Sequence, residues 1–316
     1  MLPKTQERVN FQPKRLKRGR TLVGGSPLFA KAKTFATSSD GAFCSVFYLK
    51  GVNMKEKYLL VEKIIRDASK IMMEGAKKLQ SAGIKTKGEA NNFVTEYDVA
   101  VQHFLEEKLS ALFDGVLYLA EEDGESGNEL SDELTFIIDP IDGTANFMYN
   151  VRHSAISVGL FKDKKPVFGA VYNPYSDEYF SAVKGEGAYL NGEKISVSDR
   201  TDGAAVIAVG TAPYYKETRG KETMTLLYEL LMKFGDLRRM GAASLDICYV
   251  AAGRVDGFCE LKLSPWDFAA GAIILEEAGG KITDFNGNEL DYGKPSSIMC
   301  ANAVNFDKLV EITGNL

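Results

Sequence analysis

The chain has 316 residues, 45% of them hydrophobic, which is enough to bury a large core in one big domain or two. Its net charge of −5 argues against a general nucleic-acid binder, and no apolar run reaches the roughly 18–20 residues of a membrane span. Four cysteines without a C-x-x-C pair suit free thiols in a reducing, cytoplasmic setting, and with only two histidines any catalytic metal has to be held by oxygen.

Charge is unevenly spread. Residues 1–53 hold ten Lys or Arg against Glu7 and Asp40, so the remainder carries a net −13. This segment, with Lys14-Arg15-Leu16-Lys17-Arg18 inside it, shows no helical or strand period. It reads as an organellar targeting peptide, as a basic arm for nucleic acid, or as an unfolded extension upstream of a start at Met54. In each case the folded body begins near Met54.

From there Leu60, Ile64, Ala68, Ile71, Met72, Gly75 and Leu79 recur every three or four residues, predicting a long amphipathic helix that ends at Gly83. A polar loop containing Lys87 follows. Thr95-Glu96-Tyr97-Asp98 fits a capping box, with Val101, Leu105, Leu109 and Leu112 as the apolar stripe of a second helix. Capping alone would account for Asp98. Residues 116–120 predict a strand running into Glu121-Glu122-Asp123, which as a charge run also suits a solvated loop.

Thr135-Phe136-Ile137-Ile138 predicts a buried strand with Asp139 at its carboxyl end, where Pro140 stops it. Asp142 then stands on the turn and Gly143-Thr144 opens a helix with free N–H groups. Two carboxylates beside such N–H groups could hold a divalent cation and a phosphate. Asp-Pro and Asp-Gly are equally ordinary turn dipeptides. Runs at 154–161, 166–172, 178–183 and 188–190 predict an antiparallel meander. Beyond about residue 200 strands (204–209, 237–240, 255–260, 281–284, 297–301) alternate with helices (222–234, 244–252, 268–278). The fold class is therefore α/β, layered, in three stretches: the basic extension 1–53, a helix-pair and meander half 54–200, and an α/β half 201–316.

Glu121, Asp139-x-x-Asp142-Gly143-Thr144, Asn146-Phe147, Gly185-x-Gly187-Ala188-x-Leu190-Asn191-Gly192, Gly241-Ala242-Ala243-Ser244, Arg254-Val255-Asp256-Gly257-Phe258, Trp266-Asp267 and Glu276-Glu277-Ala278-Gly279-Gly280 stand in one ordered set. In that order and spacing the chain resembles the inositol monophosphatase family over nearly all of residues 54–316. The resemblance implies the αβαβα sandwich of inositol and sugar phosphatases. It also implies hydrolysis of a small phosphorylated polyol with Mg²⁺, without a phospho-enzyme, in a lithium-sensitive homodimer. Glu121, Asp139 and the Ile141 carbonyl look like ligands of one magnesium; Asp139, Asp142 and Asp267 look like ligands of another. Thr144, with Glu121 or Asp98, resembles the group that activates water, with Thr95 as accessory to Asp98 and Lys87 as a loop lysine facing the site. Gly143 and Thr144 match phosphate-binding N–H positions. Gly241, Ala242, Ala243, Glu260 and Asp267 match substrate-contacting ones.

The resemblance leaves the ester open among inositol monophosphate, fructose 1,6-bisphosphate, histidinol phosphate and a nucleotide 3′-phosphate. A non-catalytic role on RNA machinery stands as a reading of another class. Departures from the family fall at Met148-Tyr149-Asn150-Val151-Arg152-His153 and at Ser264-Pro265, away from the proposed ligands. Arg152 is either a solvated side chain or a contact for a second anionic group. Glu260, expected at a strand end, faces either a polyol or a surface ion pair with Lys262.

Overall fold

The computed structural model describes residues 53–82, 95–126 and 130–316. The basic segment up to residue 52 and Lys87 lie outside the described residues, so their readings stay as the sequence left them.

The first helix, α1 (Met54–Ala82), buries Val61, Ile65, Ala68, Met72 and Ala76. Ala68, Met72 and Gly75 of the expected stripe are buried, while Val61 and Ile65 are buried in place of Leu60 and Ile64, and Ile64, Ile71 and Leu79 form the half-buried flank. The second helix, α2 (Glu96–Leu112), starts at N-cap Thr95 with the expected capping box and buries Val101, Leu105 and Leu109.

Seven strands then form one sheet in chain order: β1 (Leu117–Ala120), β2 (Thr135–Asp142), β3 (Ala155–Lys162), β4 (Lys165–Asn173), β5 (Glu178–Val183), β6 (Gly187–Leu190) and β7 (Glu193–Lys194). β1 and β2 are parallel; every later neighbour is antiparallel. Pro140 does not end β2 as expected. Pairing passes from Asp139↔Ser157 to Asp142↔Ala155, leaving one extra residue on β2 as a bulge. Proline lacks the N–H that a ladder needs, and a bulge is where that lack costs least. All eight residues of β2 are buried, as a strand covered on both faces requires.

The second sheet has the order β11-β12-β10-β8-β9, built from β8 (Val206–Val209), β9 (Asp236–Arg238), β10 (Gly257–Leu263), β11 (Lys281–Thr283) and β12 (Ser296–Ala301). Here β10 is longer than expected, so Glu260 falls within the strand. Between the sheets lie α5 (Ala243–Ala251) and α6 (Pro265–Glu277), around a core that includes Leu245, Ile247, Phe268 and Ile273. α6 sits so close to β4 that a Cβ on Gly169 would meet Ile273 and Ala270 at 2.5 and 2.6 Å. On the far face, α4 (Lys216–Lys233) and the unanticipated α7 (Phe306–Gly314) bury Leu226, Leu230 and Leu309. With α1 and α2 over the first sheet, beside the short α3 (Thr144–Met148), the layers read αβαβα. No helix of the described residues is long and apolar enough to cross a membrane.

Candidate active site

Three elements deliver four carboxylates to one cleft. Glu121 follows β1, Asp139 and Asp142 come from the bulged end of β2, and Asp267 comes from the first turn of α6. The bulge aims both β2 aspartates the same way, and oxygens of Asp139, Asp142 and Asp267 lie within 4.8 Å of one another. Each is braced by donors: the Ile141 N–H to Asp139 (3.0 Å) and the Ser264 N–H to Asp267 (2.7 Å). Asp142 accepts from the N–H groups of Ala243 (3.2 Å) and Ser244 (2.8 Å) and from the Ser244 hydroxyl (2.5 Å). Asp142 thereby satisfies N–H groups that the start of α5 leaves open, and gains from the helix dipole.

Electrostatics sets what this cluster can hold. Burial pushes Glu121 up to about 8, against the hydrogen bond it shares with Asp139. Burial, then neighbouring charge (Glu121 foremost), holds Asp139 and Asp267 well above the ordinary carboxylate range. Asp142 is raised by burial too, against the opposing pull of its Ser244 and Ala243 donors and of His153. Four carboxyls this close cannot all ionise without a cation among them. An oxygen-only, buried donor set of this kind suits a hard divalent ion such as magnesium rather than zinc or copper.

Beside the cluster, the Thr144 hydroxyl has two acceptors in reach, the Ile141 carbonyl (3.1 Å) and Asp98 Oδ1 (3.4 Å). The other Asp98 oxygen takes the Thr95 N–H (2.9 Å) and the Thr95 hydroxyl. Capping and site geometry thus use the same atoms, so the two readings of Asp98 do not compete. Burial pushes Asp98 up to about 6, against its Thr95 and Thr144 hydrogen bonds. Gly143 enters α3 with φ 82°, and a Cβ there would press on the Gly241 carbonyl at 3.0 Å. Asn146 fastens this turn by donating to the carbonyls of His153 (2.8 Å), Met240 (2.8 Å) and Gly241 (3.2 Å).

The cleft, about 260 Å³, continues past Gly241, Ala242 and Ala243 to Glu260. Glu260 is not in a surface ion pair with Lys262. It is 9% exposed, accepts from the Ala212 N–H (2.8 Å) and is pushed up to about 7 by burial. Lys262 instead sits over the Tyr215 ring at 4.4 Å. Glycine at 210 lets the Glu260 carboxyl group lie close over the backbone, for a Cβ there would fall 1.9–2.5 Å from it and push it aside. Arg152 is exposed and does not line the cleft, which matches the solvated reading. Reading the sequence missed the Ser244 hydroxyl and the cleft residues Arg239, Tyr214 and Asp246. For Asp246 a signal existed: it is the single charge in the otherwise apolar helix Ala243–Ala251.

Fold and site together define a layered α/β protein with a buried cluster of carboxylates in its central cleft that could hold a cation. The family model described as "Inositol monophosphatase family" matches residues 54–315. Inositol monophosphatase 3 of Solanum lycopersicum is 38% identical over 230 residues, covering 72% of this chain and 85% of that protein. Nus factor SuhB of Pasteurella multocida is 34% identical over 222 residues, covering 70% and 82%. Among solved structures, Thermotoga maritima IMPase superposes with a TM-score of 0.72 at 30% identity, covering 83% of this chain and 98% of that one. The chain belongs to the inositol monophosphatase family, whose relatives divide between inositol monophosphatases and SuhB Nus factors at similar identity.

Proposed function

We propose that the protein is a magnesium-dependent phosphomonoester hydrolase acting on an inositol monophosphate, releasing inositol and inorganic phosphate. The observation that carries this reading is the convergence of Asp139, Asp142 and Asp267 within 4.8 Å in the cleft, with Glu121 joined to Asp139. These four, with the Ile141 carbonyl, would hold magnesium. Bound there, magnesium supplies charge to neutralise the phosphate and to acidify water. The chain's own groups do the rest. Thr144 and Asp98 orient the attacking water and accept its proton through the Thr144 hydroxyl. The Gly143–Thr144 backbone faces the phosphate, and Glu260 accepts hydrogen bonds from the leaving polyol.

A second reading, a regulatory role on RNA machinery, is favoured by the relatives named Nus factor SuhB. One assay separates them. Phosphate release with magnesium is followed over inositol monophosphate, fructose 1,6-bisphosphate, histidinol phosphate and a nucleotide 3′-phosphate. The hydrolase reading expects turnover, with inositol monophosphate the best ester. Absence of turnover on the whole panel defeats it, and a different best ester defeats the choice of inositol.

A further inference from the structure

We infer that Asp246 is a second substrate-reading carboxylate, which with Glu260 makes the far end of the cleft select a leaving group bearing two neighbouring hydroxyls. The inference rests on the phosphomonoesterase reading of the same cleft. Asp246 sits one turn into α5, where its backbone N–H is satisfied by the Ala242 carbonyl at 3.0 Å. Its side chain is not satisfied. Asp246 is 1% exposed, and its Oδ1 is buried with no hydrogen-bond partner among the described residues. His153 Nε2 stands 3.9 Å from Oδ1, too far for a hydrogen bond, and is itself without a partner among the described residues.

A buried carboxylate without a donor is costly, and native folds keep few of them. In a cleft wall, the simplest account is a donor that arrives with the ligand. Glu260 lines the same cleft and spends one oxygen on the Ala212 N–H, leaving its other oxygen open to a ligand. Both carboxylates feel the same guanidinium, Arg239, which also lines the cleft. Two acceptor-only groups on different elements, α5 and β10, therefore line the same cleft, and Gly210 and Gly241 let the Glu260 carboxyl group and the Arg239 guanidinium lie close over bare backbone. Adjacent ring hydroxyls offer two donors side by side. An aryl or simple alkyl ester offers none.

The competing account makes Asp246 a structural partner of His153. The test measures kcat and KM of the full chain with magnesium for inositol 1-phosphate and for 4-nitrophenyl phosphate, in wild type, Asp246→Asn and His153→Gln. Loss of one charged hydrogen bond should lower the kcat/KM ratio between the two esters about 10-fold in Asp246→Asn, chiefly through KM for the inositol ester. His153→Gln should hold that ratio within about 2-fold. An unchanged ratio in Asp246→Asn, or an equal drop in His153→Gln, overturns the inference. If Asp246→Asn does not fold, Asp246→Ser carries the same test. A wild-type protein inactive on both esters would strike the phosphatase reading itself, and this inference with it.

Discussion

The two ends of the cleft are built from the same side chain by opposite means. At the β2 end, three carboxylates from β2 and α6 are brought within 4.8 Å of one another and braced by backbone donors. At the β10 end, Glu260 and Asp246 are sparsely braced, one with a single N–H donor and the other with none to Oδ1. Crowded, braced carboxylates suit a cation; under-satisfied ones suit hydrogen-bond donors. The difference teaches that an acidic cleft is not one site. Mutations at its two ends should therefore fail in different ways.

The largest effect is expected at the crowded end. Asp142→Asn should keep the fold, because the amide oxygen can still accept from the Ser244 N–H and hydroxyl, leaving only the longer Ala243 contact (3.2 Å) unmade. It should lower kcat about 10³-fold or more on every ester, since the cation that neutralises transferring charge is weakened. Near-wild-type turnover in limiting magnesium would break the comparison at its root.

Next comes the far end. Glu260→Ala should reduce kcat/KM for inositol monophosphate by about 5- to 150-fold, the worth of one or two hydrogen bonds. Gly210→Ala should reproduce part of that loss with the carboxylate still present, because the new Cβ occupies its place. Both losses should be much smaller on 4-nitrophenyl phosphate. Equal losses on the two esters would show that Glu260 serves the metal end or the fold.

These two ends were not equally legible in the sequence. The β2 aspartates announce themselves because strand, turn and helix start are all local patterns around them. What local pattern hid was the bulge: Pro140 reads as a stop, yet pairing resumes at Asp142. That resumption is set by β3, where Asp142 pairs with Ala155, and no local signal carries it. Glu260 was placed at a strand end for the same reason, since β12 decides how far β10 runs. Ser244 could not be assigned to Asp142 from sequence, as the two are 102 positions apart. The α1 stripe falls as expected at Ala68, Met72 and Gly75 but is displaced by one residue at its start, because Val61 and Ile65 lie beside Leu60 and Ile64 and periodicity alone does not choose between adjacent ridges. α7 and the two-residue β7 were too short or too mixed in pattern to stand out.

A third prediction uses pH to separate the ends. Glu121 has its folded value raised from 4.5 to about 8, so without metal the folded state binds the extra proton. Stability of the metal-free protein should then be greatest below about pH 4.5 and should fall as pH rises towards 8. Magnesium should offset that fall, raising Tm more at pH 8 than at pH 5, because it binds the ionised cluster. Thermal melts with magnesium and with a chelator, at both pH values, read this directly. A magnesium increment independent of pH would mean that the cluster does not bind the ion.

The smallest effect is expected at Thr95, where a helix cap and the site share atoms. The Thr95 hydroxyl accepts from the N–H groups of Tyr97 (3.1 Å) and Asp98 (3.3 Å), and donates to Asp98 Oδ2. Thr95→Ala removes the cap and should cost about 0.5–2 kcal/mol of stability. It also removes the donor that fixes Asp98, whose other oxygen is in reach of the Thr144 hydroxyl. Asp98 keeps the Thr95 N–H at 2.9 Å, so it should turn rather than leave. The expected result is therefore a drop of a few degrees in Tm with a loss in kcat of about 3- to 10-fold, the worth of one weak hydrogen bond. Because Thr144 works beside the crowded end, the loss should be the same on inositol monophosphate and on 4-nitrophenyl phosphate. Thr95→Ser, which restores the hydroxyl, should recover both Tm and kcat. A variant that melts lower yet turns over at the wild-type rate would make Thr95 a cap alone. Asp98 would then belong to the helix rather than to the chemistry.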